Sequence, residues 1–192
     1  MLEISLQPFP QLETKRLLLR QIAPNDVNEF FWLRNSDEVM KYIQLPKLES
    51  VEKVKERINS LNEGTLKNEI INWAITLKGE QNLIGWILYK NIDLINHRAE
   101  VGYLLHPDYW RKGIIQEAMT CVLDFGFTTL NFHSIEAMVN PENEASIALL
   151  EKFGFIKEGH FKENFYFEGQ FLDTAVYSLL KSNYQQTNTE QH

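Results

Sequence analysis

The residues best suited to chemistry in this chain lie in two short runs. The first, Trp110-Arg111-Lys112-Gly113, follows a stretch in which Arg98, Glu100, Gly102 and Leu104 alternate with Ala99, Val101, Tyr103 and Leu105. It precedes an apolar-periodic stretch that opens near Gly113, so the pattern predicts a strand, a short loop and a helix. The first turn of a helix has backbone N–H groups with no intrahelical partner, and the peptide dipoles concentrate about half a positive charge there. Such an end attracts phosphate. Gly113 lets the backbone approach a ligand closely, and Arg111 and Lys112 add positive charge, which together read as a pyrophosphate cradle. A plain turn with a solvated Arg-Lys pair is the competing reading of the same four residues. The second run is Asn143 to Ser146, where Asn143 is a natural helix cap and Ser146 falls at the third helical position, so that both can be satisfied locally. Carboxylates that could handle a proton are Glu100, Glu163, Glu168 and Asp173.

Several other chemistries have no spelling here. The chain contains neither G-x-x-x-x-G-K-[ST] nor G-x-G-x-x-G, which removes local support for a nucleotide triphosphatase or a dinucleotide-binding dehydrogenase. The five His residues show no metal spacing, and no metal is expected. Cys121 is the one cysteine. It falls among the apolar positions of a predicted helix and reads as a buried thiol rather than a nucleophile.

The elements that must position these residues follow in order. Arg16 to Gln21 reads as a strand. A helix with Val27, Phe30, Phe31 and Leu33 follows, capped by Asn25 or Asp26, and a second short helix holds Val39, Met40 and Ile43. Ser50 caps an amphipathic helix whose face is Val51, Val54, Ile58 and Leu61. Strands are predicted over 70–77 and 83–92, then the strand from Arg98. The helix after Gly113 extends to about Leu130 and buries Ile114, Ala118, Val122 and Phe125. A strand at 134–139, a helix over 143–153 stopped by Gly154, and a hairpin joining 155–167 to 171–180 complete one α/β or α+β domain.

Taken together, H-P-x-Y-W-x-K-G-x-x-x-E-A (His106 to Ala118) and N-x-x-S-x-x-x-L-E-K-x-G-F (Asn143 to Phe155) resemble the acyl-CoA site of the GNAT superfamily of N-acetyltransferases. L-E-T-K-R-L-L-L-R (Leu12 to Arg20) and E-V-G-Y-L-L-H-P (Glu100 to Pro107) make the chain similar to the subfamily that acetylates alanine or serine N-termini of ribosomal proteins. The resemblance covers residues 10–181. It implies a mixed, twisted sheet of about seven strands splayed between the fourth and fifth, flanked by about four helices, with the domain at 1–182 and a mobile polar tail at 183–192.

The resemblance also implies the roles. Acetyl-CoA is the co-substrate, its pyrophosphate on main-chain amides of Arg111, Lys112, Gly113, Ile114 and Ile115, its pantetheine beside Asn143. Main-chain groups at Tyr103, Leu104 and Leu105 would stabilise the oxyanion, Ser146 would protonate the departing thiolate, and Glu100 could act as base through a water, unless Arg98 claims it as an ion pair. Against the family pattern [QR]-x-x-G-x-[GA], Trp110 and Ile115 are departures and Gly113 is kept. Ala148 stands where an Arg is frequent, and Phe165 where some members carry a basic Glu.

Composition sets the outer bounds. The chain has 192 residues, 44% hydrophobic and 12% aromatic, which suits one globular domain with a substantial core. A net charge of −7 argues against a general nucleic-acid surface. No export signal or apolar run long enough for a membrane is present, so a cytoplasmic location is the default expectation. A homodimer is compatible with all of this. Two functions remain: acetyl transfer by direct attack of a primary amine, on a protein N-terminus or a small amine or antibiotic, or a non-catalytic acyl-CoA sensor or interaction module, which Phe165 and the lack of an evident base would suit.

Overall fold

The computed structural model describes residues 2–184. Eight strands form one sheet: β1 (Leu12–Glu13), β2 (Leu17–Gln21), β3 (Ile71–Leu77), β4 (Gly85–Asp93), β5 (Arg98–Leu105), β6 (Ser134–Val139), β7 (Ile156–Phe167) and β8 (Gln170–Leu180). Their order across the sheet is β1-β2-β3-β4-β5-β6-β8-β7. All neighbours are antiparallel except β5 and β6. Helices α1 (Val27–Asn35), α2 (Asp37–Met40) and α3 (Val51–Leu66) precede β3, while α4 (Ile114–Asp124) and α5 (Glu144–Lys152) flank β6. The strand count exceeds the expected seven because of the two-residue β1, so the expected fourth and fifth strands are β5 and β6.

The alternation that predicted β5 is what gives the domain two cores. Ala99, Val101 and Leu105 pack with Ile114, Ala118, Val122 and Leu150 under α4 and α5. Leu104 points the other way and packs with Phe30, Val54, Ile58 and Trp86 under α1 and α3. Ser50 caps α3 by accepting from the Lys53 amide at 3.3 Å, as its position predicted. Asp26 does not cap α1. Its carboxylate instead takes Arg20 at 2.7 and 2.6 Å and the Ala23 amide at 2.7 Å, a charge-assisted set stronger than a single cap bond.

The helix after Gly113 is not regular to its end. A π-turn at Phe125–Thr129 follows α4, and the added residue per turn carries Phe127 into the core at 0% exposure, leaving Phe125 only partly buried. Tyr89 supports the turn by donating its hydroxyl to the Val122 carbonyl at 2.8 Å. Order also runs past 182: Tyr184 packs its ring on Phe127 and donates to Asp124 at 2.6 Å. Of the expected tail, residues 183 and 184 are described, and 185–192 lie outside the described residues. Cys121 is half-buried, with burial raising its thiol pKa.

Candidate active site

The sheet opens where β5 and β6 stop pairing. Their parallel ladder holds only Arg98↔Ser134, Ala99↔Ile135 and Glu100↔Glu136, while β5 stays paired to β4 through Leu105. The His106 amide donates to the Ile84 carbonyl, which sets the phase of that antiparallel ladder. Glu100, Gly102 and Leu104 turn their backbone groups to β4, and Val101, Tyr103 and Leu105 turn theirs toward the opening. Of the three expected residues, Tyr103 and Leu105 therefore share the free edge, and Leu104 does not. Trp110 donates its indole N–H to the Leu105 carbonyl at 2.7 Å, which closes the upper end of that edge.

Immediately beyond lies the start of α4, which has no side-chain cap. Its first intrahelical bond runs from the Glu117 amide to the Gly113 carbonyl at 3.1 Å, so the amides of Ile114, Ile115 and Gln116 point outward. Gly113 has φ 71° and Arg111 φ 58°, a left-handed turn in which glycine is favoured. Ile114 sends its side chain into the core and Ile115 packs partly against it, leaving their amides as the outward-facing groups.

A third cation joins Arg111 and Lys112 there. Arg16 donates to the Lys112 carbonyl at 2.9 Å and pairs with Glu117 at 2.6 Å. Glu117 also accepts from the Thr14 hydroxyl and the Arg16 amide. Burial alone would raise the Glu117 pKa, but these bonds outweigh it and hold the carboxyl below its ordinary value. A carboxylate in the first turn would oppose an anion at the same end; Arg16 neutralises it. Its sequence signal was the charge pair itself, separated by 101 positions.

Tyr103 and Ser146 meet across the first core face, Oη to Oγ, at 2.7 Å. Asn143 caps α5 by accepting from the Ser146 amide at 3.1 Å, so the local satisfaction of Asn143 is real, yet the Ser146 hydroxyl is left for Tyr103. Burial pushes the tyrosine pKa up to about 12, the bond to Ser146 lowering it in part. The Tyr103 hydroxyl is therefore protonated at ordinary pH.

Glu100 faces the other side of β5, in the last row before the opening and 3% exposed. The ion pair with Arg98 does not form. Lys90, directly across the ladder, takes one oxygen at 2.9 Å and Asn91 the other at 2.8 Å, while Arg98 lies 3.7 Å from Asp93 and 3.8 Å from Glu136. In the terminal hairpin Asp173 holds His160 at 2.6 Å and the Glu163 amide at 2.8 Å. The Glu163 amide first, and His160 second, keep its pKa below the usual carboxylate range. Phe165 is exposed, Ala148 is exposed, and Glu168 occupies the β7–β8 turn. Among the described residues no cluster of His, Cys, Asp and Glu could hold a metal ion, and no helix is long and apolar enough to cross a membrane.

Free amides at a helix start, three cations beside them, an unpaired strand edge and a pair of hydroxyls in contact suit a long ligand with a phosphate end and an amide-bearing arm. Comparison with known proteins bears on what that ligand is. Residues 16–156 match the family model described as "Acetyltransferase (GNAT) domain". An uncharacterized N-acetyltransferase of Bacillus subtilis, YoaA, is 38% identical over 173 residues, 90% of this chain and 98% of that protein. The crystal structure of spermidine N-acetyltransferase from Vibrio cholerae in complex with CoA and spermine superposes with a TM-score of 0.79 at 28% identity, covering 90% of this chain and 99% of the other. A ribosomal-protein-S5-alanine acetyltransferase from Vibrio fischeri superposes equally, at 0.79 and 28%, over 91% and 98%.

Proposed function

The chain belongs to the GNAT acetyltransferase family and is an acyltransferase that uses acetyl-CoA, and from that premise we propose that its acceptor is a protein N-terminal α-amine. The observation that carries the mechanism is the 2.7 Å contact between Tyr103 and Ser146 beside the opening of the sheet. Acetyl-CoA supplies a thioester carbonyl for attack and a thiolate as leaving group. Amides of Gly113 to Gln116, with Arg111, Lys112 and Arg16, bind the diphosphate, and Asn143 stands beside the pantetheine arm. Edge groups of Tyr103 and Leu105 extend the β5 ladder to that arm and aim an amide at the carbonyl oxygen as negative charge develops there. One such donor contributes about 100- to 1000-fold.

The departing sulfur needs a proton, and Ser146 delivers it; Tyr103 returns a proton to the serine and is itself reprotonated from solvent after the thiol leaves. The amine approaches from the opposite face of β5, where Glu100 stands. An α-amine with pKa near about 8 is partly neutral at physiological pH. Glu100, its charge steadied by Lys90 and Asn91, accepts the released proton through a water. A small polyamine is the second reading, favoured by the similarity to the spermidine N-acetyltransferase.

Thiol release on mixing the protein and acetyl-CoA with peptides of varied N-terminus and with spermidine, followed by mass spectrometry of the products, separates the two. The proposal expects α-amine acetylation of peptides; turnover of spermidine alone, or of no amine, would overturn it.

A further inference from the structure

Among the described residues β7 is the one long free edge of the sheet. The order across the sheet ends on it, and the opposite edge, β1, is two residues long. The unpaired backbone groups along such an edge are a template for another strand. Neither hydrophobic core takes a residue of β7. Every residue of the strand except Gly159 and Phe167 is exposed, and Ile156, Phe161 and Tyr166 are more than half exposed.

Edges that stay single are guarded by charge and by bends. β7 has both, and their arrangement admits a particular partner. Lys157-Glu158 and Lys162-Glu163 stand on either side of His160, and their four charges sum to zero. None of these four side chains makes a hydrogen bond or ion pair among the described residues. His160 itself is taken up by Asp173 at 2.6 Å. The register with β8 slips between Lys157 and Gly159 and again between Phe161 and Phe165, also on either side of His160.

With two copies antiparallel and His160 on a two-fold axis, Lys157 faces the partner's Glu163, Glu158 faces the partner's Lys162, and each bend faces the partner's other bend. Phe161 falls opposite the partner's Gly159. The space over that glycine is open: within 4 Å of where a Cβ would stand there is only the edge of Phe161 on its own strand, at 4.0 Å. A slip of one residue in either direction sets Glu158 against the partner's Glu163 or Lys157 against the partner's Lys162, so the charges select this register.

We infer that two copies of this chain associate through β7, edge to edge and antiparallel about His160, and so join their sheets into one. The seam is separated from the opening by β8, and each copy keeps its own site. The inference goes beyond the acetyltransferase reading and does not depend on it.

Sedimentation equilibrium of the full chain over a concentration series tests this. One strand edge supplies about ten residues a side, fewer than the roughly 20–30 of a standard interface, so a reversible dimer that dissociates on dilution is expected. Lys157→Glu alone, and Glu163→Lys alone, each place two like-charge contacts on the seam and should raise the dimer Kd about tenfold. The double variant Lys157→Glu, Glu163→Lys should recover the original Kd. Mixing the two single variants should do the same, because each offers the charge that the other lacks. Recovery in the double variant also shows that neither substitution unfolds the chain. A dimer indifferent to both single reversals, or reversals that neither the double variant nor the mixture rescues, overturns the inference. A single chain at every concentration also overturns it and leaves the edge to a different partner.

Discussion

At the scale of single residues the account depends on two hydroxyls. If Ser146 protonates the leaving thiolate, Ser146→Ala should lower kcat by about 100-fold with the KM for acetyl-CoA nearly unchanged, because the loss falls on the transition state. Tyr103→Phe should cost about tenfold, and the double variant should cost less than the product of the two, since both act through one relay. Steady-state kinetics of the four proteins decide it. The pH profile provides a second test. The Tyr103 pKa is raised to about 12 in the folded protein, above the unfolded value of about 10. The protonated form is thus favoured by folding, and its contribution to stability is complete below about pH 10 and lost as pH climbs through about 12. The rate should rise between pH 6 and 8 as the α-amine loses its proton, and then hold level to pH 10. A falling limb near pH 8 would assign the acid to another group.

Among elements, the start of α4 is the part whose geometry is most exposed to test. Arg16→Ala frees Glu117 beside the anion site and releases the Lys112 carbonyl, so the Kd for CoA should rise about tenfold while the acceptor KM changes little; calorimetry measures the first and kinetics the second. The π-turn makes a stability prediction. A Cβ at Gly126 would stand 2.5 Å from the Tyr89 hydroxyl oxygen, so Gly126→Ala should cost about 1–3 kcal/mol. Urea denaturation should show part of that cost recovered in the Gly126→Ala, Tyr89→Phe double variant, where the clashing oxygen is gone.

Those two elements also mark where sequence reading stops. β5, β6, the Ser50 and Asn143 caps and the stop at Gly154 were legible because alternation and caps are written within a few residues of where they act. The π-turn was not, since Phe125 and Phe127 fit a regular helix about equally well until Tyr89 is seen reaching the Val122 carbonyl. Arg16 on Glu117, and Tyr103 on Ser146, join residues 101 and 43 positions apart, and no local pattern announces either. Glu100 misled in the opposite direction: Arg98 was the visible neighbour in sequence, whereas Lys90 is the neighbour across the ladder.

Over the whole molecule, the two cores give β5 two faces, with Tyr103 and Ser146 on one side and Glu100 on the other, and the proposed reaction uses the split in the sheet to join them. The molecule carries a net charge of −7, so an anionic co-substrate must be held by the local amides and cations at α4 against the overall field. Amide hydrogen exchange with and without CoA tests that arrangement most directly. The account predicts that CoA slows exchange at Gly113 to Gln116 and at Tyr103 and Leu105, with β1 to β3 unchanged. Protection centred elsewhere, with those amides exchanging as fast as in the free protein, would contradict it.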